Sequence, residues 1–295
     1  MIAEIRHVPA PAKLNLFLHV LGRRADGYHE LETVFQLIDW ADTVHLRRLD
    51  DGRIERATAL PGVAAEDDLV VRAARHLQRA SGCPLGVRIA LDKRLPIGGG
   101  LGGGSSDAAT VLMALNRLWG LDWPRERLAE LGLSLGADVP FFLFGRTAYA
   151  RGVGERLQAI DVPPGWFVVV APPVAVPTAA AFAAPELTRD TPPLTISGLS
   201  QGARPWQGRN DLQAVVAGRY PPVASALAAL AAAAGAAGLD PALVRMSGSG
   251  ACVFCPAPTE ALAGRVAGAL RGEAVGVVRV CRGLARHPLG SRQVG

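Results

Sequence analysis

Cysteine is scarce in this chain, with four in 295 residues: Cys83, Cys252, Cys255 and Cys281. So few exclude a disulfide framework. The one close pair, Cys252-x-x-Cys255, lies in an apolar strand-like run and has no second ligand pair at zinc spacing. Buried free thiols in a reducing, cytoplasmic setting are expected. Aromatic residues make up 5%, and none interleave with basic residues, so a single-stranded nucleic-acid surface would lack its stacking platform. The formal net charge is +5, but Arg23-Arg24 and Arg47-Arg48 are short pairs, not a stripe. A polyanionic small molecule satisfies the same balance. Long apolar runs are missing as well. Val162 to Pro185 is broken by Pro163, Pro164, Pro172, Pro173 and Pro177, and Tyr220 to Leu239 is mostly Ala and Gly; neither makes a membrane span. Leu14 to Leu21 contains His19, follows Glu4 and Lys13, and has no cleavage pattern of a secretory signal. Neither a membrane nor a nucleic acid is an expected partner. No internal repeat is present.

What remains is a folding chain with 49% hydrophobic residues, long enough for two cores. Alternating apolar positions predict strands at Ala12 to Val20, Leu31 to Ile38, Thr43 to Leu49, Val87 to Leu91, Trp166 to Ala171 and Val275 to Cys281. Helical spacing predicts helices at Leu69 to Ala80, from Ser105 or Ser106 onward, at Arg125 to Leu133, Asp211 to Ala217, Ala224 to Ala234 and Thr259 to Leu270. Two αβ-type halves meet near Val153 to Pro164. The segment from Pro185 to Gly208 reads as a loop or insertion, and the tail from Arg286 as frayed.

The richest stretch is Leu95 to Asn116, where six glycines fall between Gly98 and Gly104 ahead of Ser105, Ser106 and an apolar-periodic run. Glycines before a helix start let the backbone approach a ligand and turn its N–H groups inward, and the helix dipole adds positive potential. A Walker A loop would need Lys after the last glycine, where Ser105 stands. The spacing Gly98-x-Gly100-x-x-Gly103 also fits a dinucleotide fingerprint. In so glycine-rich a loop the match carries little weight, and it comes after about a hundred residues instead of after a first strand. A non-Walker phosphate cradle is the expectation.

Other residues are ambiguous one at a time. Lys13 sits beside Asn15 in a strand that otherwise reads as core. An edge lysine that discourages aggregation and a lysine with a chemical task fit equally well. Gly22 to His29 is a turn that carries an exposed aromatic, Tyr28, with His29 beside it, either a lid over a core edge or a stacking platform for a planar ligand. Asp138, in Gly136-Ala137-Asp138-Val139-Pro140-Phe141-Phe142, is either a helix cap or a catalytic base and partner for Lys13. Leu243 to Cys255 predicts two strands around a tight turn at Ser247 to Gly250, a hairpin that can also bring N–H groups to a phosphate.

Three of these stretches in fixed order, Pro11 to Leu31, Pro96 to Ala109 and Met246 to Phe254, resemble the GHMP small-molecule kinase superfamily, whose glycine loop is not a Walker A. The resemblance implies an α+β, two-domain fold. An N-terminal ribosomal protein S5 domain 2-like α/β unit (1–158) would bind ATP. A C-terminal ferredoxin-like α+β unit (159–295) would complete an interdomain cleft. ATP with Mg²⁺ is the implied cofactor set, and a cytidine-diphosphate-linked sugar alcohol the implied substrate. Another small alcohol, of homoserine or mevalonate type, is the alternative. A cytoplasmic enzyme, monomer or homodimer, would follow. Residue by residue, the resemblance makes Lys13 and Asp138 catalytic and has Asn15 line the substrate site. Tyr28 and His29 would contact the cytosine, with Tyr28 stacking on the ring and Phe182 as candidate for its other face. The phosphate cradle would be Pro96, Ile97, Gly98, Gly99, Gly100, Leu101, Gly102, Gly103, Gly104, Ser105 and Ser106. No metal ligand is assigned beyond the serines at hand, Ser105 or Ser106. Asp107 stands where many members carry Asn, and its charge is expected to point away from the phosphates.

Overall fold

A computed structural model describes residues 2–60, 62–163, 165–194 and 208–290. Its frame is a pair of long antiparallel strands, β1 (Glu4–Arg23) and β2 (His29–Leu49). The two strands expected at Leu31 to Ile38 and Thr43 to Leu49 are therefore one. Asp42, between the two expected strands, is fully buried inside the single one and accepts hydrogen bonds from the Arg94 and Leu95 amides. The connecting turn is also tighter than expected, because Gly22 and Arg23 still pair with Glu30 and His29.

Different lengths of β2 serve different neighbours. Thr43 to Leu49 pairs with β4 (Gly86–Asp92), Leu31 to Phe35 with β5 (Ala148–Gly152), and Leu37 and Ile38 with β10 (Val277–Leu284). β10 also pairs with β7 (Trp166–Ala171), which pairs with β9 (Val253–Ala257), which pairs with the short β8 (Arg245–Met246). β3 (Ile54–Arg56) and β6 (Arg156–Ala159) lie on the outer edges of β4 and β5. One sheet thus runs through both halves of the chain.

Helices cover the sheet where their apolar stripes demand it. In α1 (Leu69–Ser81) the residues Val70, Val71, Ala73, Ala74 and Leu77 are buried, Asp68 caps the Val70 amide, and Gly82 ends the helix in the left-handed conformation. Full burial of a side chain such as Leu77 is worth about 1.5–3 kcal/mol. α2 (Gly103–Leu118) is buried nearly all round. It begins ahead of the expected serine, with Gly102 at φ 70° in the cap position and no side-chain cap; the Ser106 hydroxyl donates to the Pro11 carbonyl instead, at 2.7 Å. Next come α3 (Arg125–Leu133) and α4 (Val139–Phe144). The second half carries α5 (Thr178–Phe182), α6 (Gln213–Arg219), α7 (Pro221–Ala236) and α8 (Glu260–Ala269), the last capped by Thr259. A middle core, with Leu14, Leu16, Phe17, Phe167 and Phe254, joins the cores of the two halves.

No single described helix is long and apolar enough to cross a membrane. α7 instead buries Val223, Ala226, Leu230, Ala233 and Ala234. The four cysteines are unpaired, and three of them are buried. The tail is not frayed as far as Gly290: His287 is fully buried, and its amide donates to the Gly145 carbonyl at 2.7 Å. Residues 195–207 of the expected insertion lie outside the described residues.

Candidate active site

The glycine loop works because its carbonyls and amides face opposite ways. Leu101 O accepts from the Lys13 amide (3.0 Å), Gly100 O from the Ser247 hydroxyl (3.1 Å), Gly99 O from the Cys252 amide (3.0 Å), and Gly102 O from the Ser106 amide (2.9 Å). No N–H from Gly98 to Ser105 finds an acceptor among the described residues. Gly98, Gly100 and Gly102 all take positive φ, the alternation that turns successive amides to one side. A Cβ on Gly100 would stand 2.1 Å from the Ser247 carbonyl, so the close approach of the β8–β9 turn also requires glycine there.

These amides face a cavity of about 640 Å³ whose floor carries the charged groups. Lys13, 3% exposed on β1, donates from Nζ to Asn15 Oδ1 at 2.5 Å and lies 3.5 Å from Asp138 Oδ2. Asn15 is fixed in turn by its Nδ2 donating to Thr33 Oγ1 at 2.9 Å. Gly102 leaves room for Lys13, because a Cβ there would sit 3.2 Å from Lys13 Cε. Asp138 precedes α4 without capping it, its side chain a third exposed and turned to the lysine. Buried side chains thus hold an ammonium against a carboxylate that substrate can reach.

A second compartment of about 620 Å³ adjoins the first, and Leu31, Ala137, Val153, Thr178 and Phe182 line both. Its walls include Tyr28, 65% exposed, and His29, whose ring stacks on Phe182 with centroids 5.1 Å apart and planes at 29°. The compartment is mainly apolar with a few polar groups, as suits a planar heterocycle.

Known sequences and structures align with this arrangement. The profile described as GHMP kinases N terminal domain matches residues 68–146, and that described as GHMP kinases C terminal matches residues 196–275. A curated relative from Thiobacillus denitrificans, a 4-diphosphocytidyl-2-C-methyl-D-erythritol kinase, is 60% identical over 95% of this chain and 96% of its own. One of the same name from Ralstonia nicotianae is 56% identical over 97% of this chain and 96% of its own. The chain belongs to the GHMP kinases. Among solved structures, a 4-(cytidine 5'-diphospho)-2C-methyl-D-erythritol kinase superimposes with a TM-score of 0.78 at 39% identity, covering 95% of this chain and 98% of its own. A homoserine kinase from Cytophaga hutchinsonii, at 20% identity and a TM-score of 0.68 with 97% and 96% covered, shares the fold.

The GHMP kinase fold gathers most of the residues singled out in the sequence. Lys13, Asn15, Asp138 and the loop from Pro96 to Ser105 line the first compartment, Tyr28 and His29 the second, and Phe182 both. Ser106 is different: it is fully buried beneath the loop and does not line the cleft. Phe182 lies flat against His29, so one of its faces is already taken.

A cluster beneath the loop escaped the sequence reading. Lys93 Nζ donates to Asp107 Oδ2 at 2.8 Å and to Asp42, bridging two buried carboxylates. Burial pushes the Asp107 carboxyl up to about 7 despite that lysine, with the Asp42 charge adding to the rise. Its Oδ1 has no hydrogen-bond partner. The signal was there in the composition: of 31 basic residues only two are lysines, Lys13 and Lys93, and both line the same cleft. Thr178 and Ser249, whose hydroxyls lie 2.8 Å apart, also line this compartment and tie α5 to the β8–β9 turn.

Proposed function

We propose that this GHMP kinase transfers the γ-phosphoryl of ATP to the 2-hydroxyl of 4-diphosphocytidyl-2-C-methyl-D-erythritol, a step of isopentenyl diphosphate formation by the methylerythritol phosphate route. The observation that carries the reading is the junction of two compartments. One is lined by unpaired amides and the Lys13–Asp138 pair, the other by Tyr28, His29 and Phe182. The relatives' near-complete coverage and shared name support the substrate.

The loop amides, with the start of α2, would receive the triphosphate of ATP. Asp138 takes the proton from the attacking hydroxyl, and Lys13 balances its charge and that developing on the transferred group. Ala12 and Leu14 set Lys13 in the middle core, and Val139, Phe141 and Phe142 of α4 set Asp138 against the core of the first half, so the pair is positioned before substrate arrives. Phosphoryl transfer is mostly positioning and charge stabilisation, which these groups can supply. Mg²⁺ favours oxygen ligands and completes its shell with phosphates and water. Among the described residues there is no group of three or more His, Cys, Asp or Glu that could hold a metal alone. The unpartnered Oδ1 of Asp107 and the Ser105 hydroxyl on the cleft wall fit such a partial set. The ion, when bound, would neutralise phosphate charge. Asn15 supports Lys13 from within the same cleft, and Tyr28 and His29 would engage the cytosine.

The test is ADP release measured against a panel of alcohols. Turnover of the cytidine compound, with homoserine and mevalonate inert, is expected. Turnover of either small alcohol with the cytidine compound inert would overturn the assignment, since neither carries a base for the second compartment.

A further inference from the structure

Arg189 lies a few residues beyond α5, and its guanidinium is held on three sides. Nη1 donates to the Leu187 carbonyl at 3.0 Å, while Nη2 donates to the Phe182 and Ala184 carbonyls at 3.0 and 2.7 Å. Those bonds aim Nε–H at His29 Nε2, 3.1 Å away at the start of β2. A guanidinium has only N–H donors and keeps its proton in proteins. The nitrogen it faces must therefore be the imidazole's acceptor, and a neutral ring that accepts at Nε2 carries its one proton on Nδ1. Nδ1 itself has no partner among the described residues, and His29 lines the second compartment. The stack on Phe182 fixes the plane of the ring.

We infer that Arg189 is a positioning residue that locks His29 in the Nδ1–H tautomer, so that the compartment offers a fixed donor to the acceptor edge of a pyrimidine. Cytosine presents two neighbouring acceptors, O2 and N3, on that edge. Uracil carries a proton on N3, so an Nδ1–H aimed at that atom would meet a second donor. The lock therefore favours cytosine over uracil as well as orienting the base. It rests on reading this compartment as the base site. Arg189 and Arg23 are the charged groups that bear on the ring, and both act with burial to lower its affinity for a second proton. Protonation of His29 would place a positive ring against a guanidinium and abolish the acceptor. The same residue joins the two walls of the compartment, since His29 comes from the start of β2 and Phe182 from α5.

The experiment pairs ¹⁵N NMR of the imidazole nitrogens in the free full-length protein with steady-state kinetics, for wild type, Arg189→Met and Arg189→Lys. In wild type, His29 should show a protonated Nδ1 and an acceptor Nε2 from pH 6 to 8. In Arg189→Met the proton should spread over both nitrogens, and the ring should take up a second proton at higher pH than in wild type. The KM for the cytidine substrate should rise about tenfold and become pH-dependent, with kcat and the KM for ATP within about twofold. Arg189→Lys keeps the cation without the aimed Nε–H and should recover only part of the KM. A wild-type His29 protonated at Nε2, or an Arg189→Met protein with an unchanged tautomer, overturns the lock. So does a KM for the cytidine substrate unmoved by Arg189→Met, or a fall in kcat that matches the rise in KM. Wild type inert toward every cytidine-linked alcohol would overturn the base-site reading instead, and leaves the NMR result standing by itself.

Discussion

Lys93 holds two carboxylates under the glycine loop, yet Asp107 remains hard to ionise because burial outweighs the lysine. The sign follows directly. Between the usual aspartate range, about 3.9, and about 7 the folded chain holds a proton that the unfolded chain has released. Stability is therefore lost as pH rises through that window. Asp107→Asn leaves Lys93 paired with Asp42. It should raise the unfolding free energy by about 1–2 kcal/mol at pH 8, a few degrees in Tm, and have little effect at pH 4. If Asp107 Oδ1 is a ligand of Mg²⁺ as proposed, the same variant would give up that oxygen, and its KM for Mg-ATP should rise several-fold. Thermal melts at both pH values and ATP titrations check both halves. At this scale the sequence was half legible. Lys13 and Asp138 were each ambiguous because a strand lysine and a pre-helix aspartate have ordinary uses. What distinguishes them is their 3.5 Å separation in space, which no local pattern contains. Asp107 was expected to turn from the phosphates; its Oδ2 does turn to Lys93, but Oδ1 is left unpartnered beside the cleft.

Among the elements, the glycine loop and the β8–β9 turn behave as one device, joined where Gly99 meets Cys252 and Gly100 meets Ser247. Gly100→Ala puts a methyl 2.1 Å from the Ser247 carbonyl at a φ of 73°. The loop must then part from the turn, at about 2–4 kcal/mol of stability, and its amides lose their common aim. Calorimetry should show ATP binding weakened at least tenfold. A variant with wild-type affinity and Tm would separate the loop from nucleotide binding. Periodicity located α1 and α3 within a residue or so because their stripes face one core. It misplaced the start of α2, where a left-handed glycine, not a serine, ends the loop. It also split β2 in two, because Asp42 looks like a turn residue until the distant Arg94 and Leu95 amides that satisfy it are in view.

The whole molecule is closed by its C-terminal segment. β10 inserts between β2 and β7, and the chain beyond it returns to the first half, where Arg125 donates to the Leu143 and Leu289 carbonyls. His287 is enclosed there. Its Nδ1 accepts from the Leu289 amide at 3.2 Å, its Nε2 has no partner, and burial with Arg125 nearby lowers its pKa to about 3. The unfolded chain takes up a proton below about 6.5 that the folded chain refuses, so stability present at neutral pH is lost as pH falls toward 3. Urea titrations should show a loss of about 1.4 kcal/mol per pH unit below 6 from this residue. In His287→Phe that slope should be reduced by the same amount, and an unchanged slope would assign the acid sensitivity elsewhere. The tail looked frayed in sequence because it is short and polar, and its anchoring contacts lie more than a hundred residues away.

The central claim is a division of labour in one cleft, with donor phosphates on the loop, chemistry at Lys13 and Asp138, and the acceptor's base at Tyr28 and His29. Steady-state ADP release with 4-diphosphocytidyl-2-C-methyl-D-erythritol, in wild type, Asp138→Asn and Tyr28→Ala, tests it most directly. The account predicts that Asp138→Asn lowers kcat by about 10²–10⁴ with little change in KM. Tyr28→Ala should raise the acceptor KM about tenfold or more with kcat kept. Wild-type turnover by Asp138→Asn, or a Tyr28→Ala enzyme that loses kcat at unchanged KM, would contradict it.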